Sequence, residues 1–260
     1  MKILFVGDIV GKGGRHAVTR FVPELVAEQG CEFVIANGEN MAGGAGMTAR
    51  CLSELRDAGV DVVTGGDHMW DQRDFASEIS ACEDVLRPAN VCASQPGRGH
   101  GVFTAADGES IGVVCLLGRT FMNSQANCPF EAADRLVAEL SKETARIIVD
   151  FHAEATSEKT ALARFLDGRV SAVIGTHTHV PTADQQIFAG GTAFQCDVGM
   201  VGARDSILGR DIEAVITRFH TGMPTRFKVV NKGMRLHAVI VTVGPNGRAT
   251  GIERVIRDMA

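Results

Sequence analysis

Five times along this chain a short apolar run of strand length ends on residues able to ligate a metal, and that repetition constrains the fold more than any other feature. The runs are 3–6 before Gly7-Asp8, 33–36 before Asn37-Gly38-Glu39-Asn40, 60–64 before Gly65-Gly66-Asp67-His68, 147–149 before Asp150-Phe151-His152, and 172–174 before Gly175-Thr176-His177-Thr178-His179. Continuous apolar runs rich in Val and Ile suit strands buried on both faces. In an extended backbone the i, i+2 spacing of His177 and His179 points both imidazoles the same way, whereas a helix needs i, i+4. Two imidazoles on one side of a strand end suit a divalent metal; an ordinary pair of surface or core histidines is the plainer alternative.

Helical spacing follows the first three runs. Val18, Phe21, Val22, Leu25 and Val26 form one inward stripe, Leu52 and Leu55 behind a capping Thr48 form a second, and 74–82 reads as a third helix. Gly11, Gly13 and Gly14 read as a loop between the first strand and helix. They do not make a phosphate loop, because Gly7 and Gly11 are one residue too close and Gly13 follows Lys12 where Ser or Thr is required. From 101 to 118 two strands flank the turn residues 107–110, and Pro129 opens a helix with Leu136, Val137 and Leu140 inward. A helix capped at Ser157 leads into the fifth run. Beyond it, 185–188 and 192–196 read as strands about Gly190-Gly191, followed by a loop, a short helix and a β-rich tail at 227–243. No Pro-, Ser- or charge-rich linker and no repeat of fixed period divides the chain, so residues 1–260 read as one α/β domain with mixed sheets and helices outside. In such folds sites gather at the carboxyl ends of parallel strands.

Charge removes one class of function. With 26 Lys and Arg against 31 Asp and Glu, a net −5, the chain has no basic footprint for duplex DNA or long RNA. A small anionic substrate stays open if metal supplies positive charge. Seven cysteines, an odd count without C-x-x-C spacing, argue against a disulfide framework and for a reducing compartment. No apolar run approaches the roughly 18 residues of a membrane span. A cytoplasmic protein without a membrane partner is the expectation.

Together the strand ends offer Asp8, Glu39, Asn40, Asp67, His68, His152, His177 and His179. Each alone has an ordinary explanation: Asp8 or Asn40 as a turn former, His68 as a hydrogen-bonded loop residue, His152 as a satisfied core histidine. Their joint placement carries the metal reading. Carboxylate and imidazole donors without cysteine suit Fe, Mn, Zn or Co rather than Mg or Ca, and seven or eight ligands are too many for one ion. Two ions about 3.5–4 Å apart clamp an in-line displacement at phosphorus and lower the pKa of a shared water, which makes the chemistry phosphoester hydrolysis.

The order Gly7-Asp8, Glu39-Asn40, Gly66-Asp67-His68 and Gly175-Thr176-His177-Thr178-His179 resembles the calcineurin-like metallophosphoesterase superfamily. More closely, GDIVGKGGR, ANGENMAGGAGMT, RPAN, VDFHAEATSEK, GTHTHVPTAD, DVGM and TGMPTRF are similar to the YmdB-like cyclic-nucleotide phosphodiesterase family, nearly end to end. Ile9-Val10 stand where the wider superfamily has an Asp-x-His pair, a mark of the YmdB-like branch. The resemblance implies a metallophosphoesterase fold: a four-layer sandwich of two mixed β-sheets packed together and flanked by helices. It implies two divalent or trivalent ions, iron first, with manganese, zinc or cobalt as alternatives. Asp8, Asn40 and His179 would serve one ion, Asp67, His152 and His177 the other, with Glu39 bridging. His68 would be the general acid and a hydroxide shared by the ions the nucleophile. The implied substrate is a small phosphodiester, a 2′,3′-cyclic nucleotide and beyond it a 3′,5′-cyclic one; substrate-binding residues are not specified, and a homo-oligomer is left open.

The family has asparagine where this chain has Asp67. A third carboxylate should tighten metal binding and reduce the positive charge facing phosphate. Around this set, Asp71, Asp150 and Asp197 either orient the histidines or serve as turn and capping residues. Trp70 either stacks on a base or anchors a loop, and Arg119 either meets a phosphate or is a surface residue. Two other functions compete: a metal-containing regulatory or interaction protein with little turnover, and a binuclear amide or ester hydrolase.

Overall fold

In the computed structural model, which describes residues 1–123 and 125–259, the first apolar run is strand β1 (Lys2–Val6). Its side chains alternate between two cores, Ile3 and Phe5 on one face and Leu4 and Val6 on the other. Both faces are buried, so the run is apolar throughout. Then follow β2 (Asp8–Ile9), helix α1 (Gly11–Gln29), β3 (Phe33–Asn37), α2 (Ala49–Asp57), β4 (Val62–Thr64), the short α3 (Phe75–Glu78) and β5 (Val85–Leu86). Strands β6 (His100–Thr104) and β7 (Ser110–Leu117) form the expected hairpin. Next come α4 (Pro129–Leu140), β8 (Ile147–His152), α5 (Thr156–Phe165) and β9 (Ala172–Thr176). The last third holds β10 (Gln186–Ile187), β11 (Ala193–Gln195), β12 (Met200–Ala203), α6 (Ile212–Thr221), β13 (Met234–Val243) and β14 (Ala249–Met259).

The strands make two mixed sheets. One runs β2-β12-β13-β1-β3-β4-β5 with β14 added on β13, and the other runs β10-β11-β9-β8-β7-β6. In the first, β1, β3, β4 and β5 are parallel and β13 is antiparallel to β1. In the second, β7, β8, β9 and β11 are parallel, with antiparallel β6 and β10 at the edges. Ile3, Phe5, Ile35, Val113, Ile148 and Ile174 pack the sheets face to face. Val18, Leu25, Leu52 and Leu55 of α1 and α2 cover the outer face of the first, and Leu136, Leu140 and Leu162 of α4 and α5 cover that of the second. Each such fully buried side chain contributes roughly 1.5–3 kcal/mol. The result is four layers, helix, sheet, sheet, helix, with the carboxyl ends of β1, β3, β4, β8 and β9 opening toward one edge. Among the described residues no helix is long and apolar enough to cross a membrane.

Several local expectations change. Gly11, Gly13 and Gly14 are not a loop but the first turn of α1. The helix enters so close to its neighbours that a Cβ on Gly14 would lie 2.4 Å from the Val201 carbonyl oxygen, and one on Gly13 2.7 Å from Met234 Sδ. Helix α5 begins at Thr156 without a side-chain cap, and the helix expected at 74–82 is α3 followed by a 3-10 turn at Ile79–Ala81. The β-rich tail starts only at Met234, and it is followed by β14, which the apolar pattern did not announce.

The largest change concerns the paired histidines. Strand β9 stops at Thr176, and His177 (φ 101) and His179 (φ 64) sit in left-handed conformations, so their rings do not project from an extended strand. Such backbone is strained and persists only where surroundings hold it. Asp197 does so: its Oδ2 accepts from Thr178 N at 3.0 Å and its Oδ1 from Gly199 N at 2.8 Å. Lys159 Nζ bridges Asp197 Oδ2 and the Thr176 carbonyl, both at 2.7 Å, and both charged side chains are 1% exposed. Removing one partner of a buried ion pair strands the other charge, at a cost of about 3–5 kcal/mol. Lys159→Met is therefore expected to lower Tm by roughly 10 °C, at ~2–4 °C per kcal/mol for a chain of this size. A melting curve superposable on wild type would contradict this role for the pair.

Candidate metal centre

The first sheet delivers Asp8 from β2, Glu39 and Asn40 beyond β3, and Asp67 and His68 beyond β4; the second delivers His152 from β8 and the two loop histidines beyond β9. The ligand atoms fall into two groups, Glu39, Asp67, His152 and His177, and Asp8, Glu39 and His179, each within 4.8 Å of one another. Glu39 belongs to both. His152 Nε2 lies 3.1 Å from Asp67 Oδ1, 3.2 Å from Glu39 Oε2 and 3.0 Å from His177 Nδ1. The Asn40 side-chain amide joins the second group, 2.6 Å from Glu39 Oε1 and 3.3 Å from His179 Nε2. His68 stands at the rim, half exposed, its backbone N–H donating to Glu39 Oε2 and its Nδ1 3.0 Å from Asp71 Oδ2. All eight residues singled out in the sequence are thus neighbours.

Whether a cation fits can be judged from the donors themselves. Asp8 Oδ1 is buried without a hydrogen-bond partner, a costly state for a carboxylate oxygen. Burial pushes the Asp8 carboxyl well above the usual range, His152 opposes the shift, and Asp197, Glu39 and Asp150 add to it. Burial likewise disfavours charge on His152, but Glu39, Asp67 and Asp8 outweigh it and raise its pKa well above the ordinary value. Burial opposes ionisation of Glu39, yet the charge and hydrogen bond of His152 hold its carboxyl down at about 2. Asp67 is also lowered, His152 and His177 overcoming its burial. The carboxylates thus call for positive charge, which is what raises the pKa of His152. A divalent ion supplies that charge better and leaves the imidazole neutral, the form in which it ligates. His179, lowered by burial, is held neutral already. A Cβ at position 66 would lie 2.2 Å from Glu39 Oε2 and 2.4 Å from His152 Nε2, so only glycine leaves this cradle open. The residues present fit metal.

A second ring of contacts fixes the ligands. Asp150 accepts hydrogen bonds from Thr64, from Thr176 Oγ1 at 2.7 Å and from Asn37 Nδ2 at 3.1 Å, and Thr176 Oγ1 lies 2.9 Å from His152 Nδ1. That chain turns Nε2 of His152 toward Glu39 and Asp67. Asp150 therefore orients a histidine, as Asp71 does for His68, while Asp197 holds the backbone at Thr178 between the two loop histidines. Sequence reasoning missed Asn37, Thr64, Thr176 and Lys159; polar residues inside otherwise apolar strands were the available signal for the two threonines. It also missed Glu154, whose Oε2 lies 3.2 Å from His177 Nε2. Trp70 anchors a loop, donating to Gln95 Oε1 at 3.0 Å and packing on Phe75. Arg119 is exposed and bonds Glu158 through its backbone N–H.

Known proteins share this arrangement of chain. A Bacillus subtilis (strain 168) protein named 2′,3′-cyclic-nucleotide 2′-phosphodiesterase is 44% identical over 257 residues, which span 98% of this chain and 97% of that one. The crystal structure of a hypothetical protein from Thermus thermophilus superposes with a TM-score of 0.93 at 41% identity, covering 100% of both chains. A 5′-nucleotidase precursor from the same organism, 15% identical with a TM-score of 0.62, covers 100% of this chain and 55% of its own, and shares the metallophosphoesterase fold. Residues 4–255 match the family described as YmdB-like protein, and the chain belongs to that family.

Proposed function

We propose that this chain is a binuclear-metal phosphodiesterase that hydrolyses 2′,3′-cyclic nucleotides, with 3′,5′-cyclic nucleotides as a further class. The observation that carries the reading is that Glu39 belongs to both ligand groups, as a carboxylate bridging two ions must. The substrate class rests on the likeness to the Bacillus subtilis protein of that name. Asp8, Asn40 and His179 would hold one ion and Asp67, His152 and His177 the other; Fe, Mn, Zn or Co suits these donors. When bound, the ions supply positive charge to the phosphate oxygens and lower the pKa of a water for attack near neutral pH. Residues 1–260 act as one domain in this reading, because both sheets contribute ligands. Seven free cysteines agree with a cytoplasmic setting.

His68 would give its proton to the departing ribose oxygen. Partial burial works against its charged form, but Glu39, Asp67 and Asp71 together raise its pKa, which favours the proton-donating imidazolium. Asp71 at Nδ1 leaves Nε2, 3.9 Å from Asp67 Oδ2, as the nitrogen nearer the metal ligands. A general acid contributes about 10²–10⁴-fold.

His68→Ala is accordingly expected to reduce kcat on a 2′,3′-cyclic nucleotide by about 10²–10⁴-fold while metal content stays at the wild-type value. Activity that needs protonated His68 falls as pH rises through its pKa. Asp71→Asn removes one of the charges raising that pKa, so the alkaline limb of kcat/KM should move to lower pH. Full activity in His68→Ala, or an unmoved limb in Asp71→Asn, would contradict the assignment.

Asp67 is where this chain departs from the family's asparagine. Asp67→Asn is expected to weaken metal retention with His152 and His177 and to raise turnover of bis-p-nitrophenyl phosphate per loaded site. Equal rates with equal metal content would remove the electrostatic argument.

A further inference from the structure

Arg87-Pro88-Ala89-Asn90 belongs to the family-like motifs of the sequence yet takes no part in the metal centre. Arg87, Ala89 and Asn90 line a cavity of about 640 Å³ between the end of β5, the start of β6 and the first turns of α4. That volume is in the range of small-molecule sites, roughly 300–1,000 Å³. The chain carries a net −5, but this cavity is basic: Arg87, Arg98, Arg135 and His100 face it, with Glu131 the one carboxylate among its lining residues. Some of the chain's arginines pair with carboxylates, Arg56, Arg146 and Arg169 among them. Among the described residues Arg87, Arg98 and Arg135 have none.

Arg87 is the most telling of them. It is only 8% exposed, and burial lowers its pKa. Its Nε donates to the Pro96 carbonyl at 3.2 Å and its Nη1 to the Pro88 carbonyl at 2.9 Å, while among the described residues Nη2 has no protein acceptor. A guanidinium buried this far without a counter-charge is suited to an anion that arrives with the ligand. Arg98 is steadied over the Phe103 ring and by the Glu83 carbonyl. Asn90 sets the wall, donating to the Leu117 and Asn127 carbonyls at 2.7 and 2.9 Å and accepting from Leu117 N at 2.8 Å. Helix α4 starts on the same wall with Pro129 in its first turn and no side-chain cap from Cys128, so its positive end is available as well. Val91, Ala132 and Leu136 give the cavity an apolar side.

We propose that this cavity is a second ligand site, separate from the metal centre, that takes a phosphate monoester of mononucleotide size. The phosphate would lie between Arg87 and Arg135, and the nucleoside against Val91 and Leu136. The site does not depend on the phosphodiesterase reading, since none of its lining residues is in either metal-ligand group.

Calorimetric titration of the metal-loaded protein with adenosine 5′-monophosphate tests it, beside Arg135→Glu, Arg87→Gln and the metal-centre variant Glu39→Gln. Arg135 is exposed on α4, so its charge reversal decides the matter even if Arg87→Gln fails to fold. The expected result is a binding event that Arg135→Glu weakens about 10-fold or more and that Glu39→Gln leaves intact. Hydrolysis of bis-p-nitrophenyl phosphate by Arg135→Glu should match wild type. Absence of binding, or binding abolished by Glu39→Gln and unmoved by Arg135→Glu, would overturn the proposal. Inorganic phosphate binding as tightly as the nucleotide would overturn the assignment of nucleotide size.

Discussion

Mutual repulsion among Asp8, Glu39 and Asp67, gathered around the buried ring of His152, is the constraint on which the rest of this structure depends. Two like charges about 4 Å apart repel by roughly 4 kcal/mol at the effective dielectric of a protein site. Three carboxylates in one cleft need positive charge, and the imidazole of His152, set among them, is fully buried. The orphaned Asp8 Oδ1 and the raised pKa of His152 are two signs of the same deficit. A divalent cation would relieve both and would supply charge against which a phosphodiester can be bound.

Holding such a cluster requires rigid supports from both sheets. Asn37 and Thr64 at the ends of β3 and β4 reach across to Asp150 and Thr176 in the second sheet, so the two sheets meet through hydrogen bonds as well as apolar packing. The glycines next to the ligands serve close approach. A Cβ on Gly7 would lie 2.0 Å from the Gly199 carbonyl oxygen, and one on Gly175 1.7 Å from that of Cys196. Either would push a ligand-bearing strand end out of register with its support. The Lys159 and Asp197 pair completes the frame by fixing the segment in which His177 and His179 hold left-handed backbone.

Much of this was legible in the sequence because strands buried on both faces have a plain signature: Ile3 to Val6 and Val113 to Leu117 have no polar position to confuse the reading. The ligands stood out because each followed such a run. What was hidden depends on tertiary contact. Gly13 and Gly14 looked like loop residues, but they lie in α1, where the nearness of Met234 and Val201 leaves no room for a side chain. Strand β14 pairs with β13 alone and carries Glu253, Arg254, Arg257 and Asp258, so its edge position erased the apolar pattern. Lys159 sits in a helix, where lysine is ordinarily solvated, and nothing local signals that Asp197 waits beneath it. The left-handed turns at His177 and His179 were invisible for the same reason, since non-glycine residues adopt them only when their surroundings compel it.

Metal content per chain, measured for the protein as purified and for Glu39→Ala, His177→Ala and His179→Ala, tests the shared-carboxylate centre most directly. Two equivalents in wild type are expected, with one lost from each histidine variant and both weakened in Glu39→Ala. Absence of metal under every loading condition, or a Glu39→Ala protein that retains its full complement, would contradict a binuclear centre bridged by Glu39.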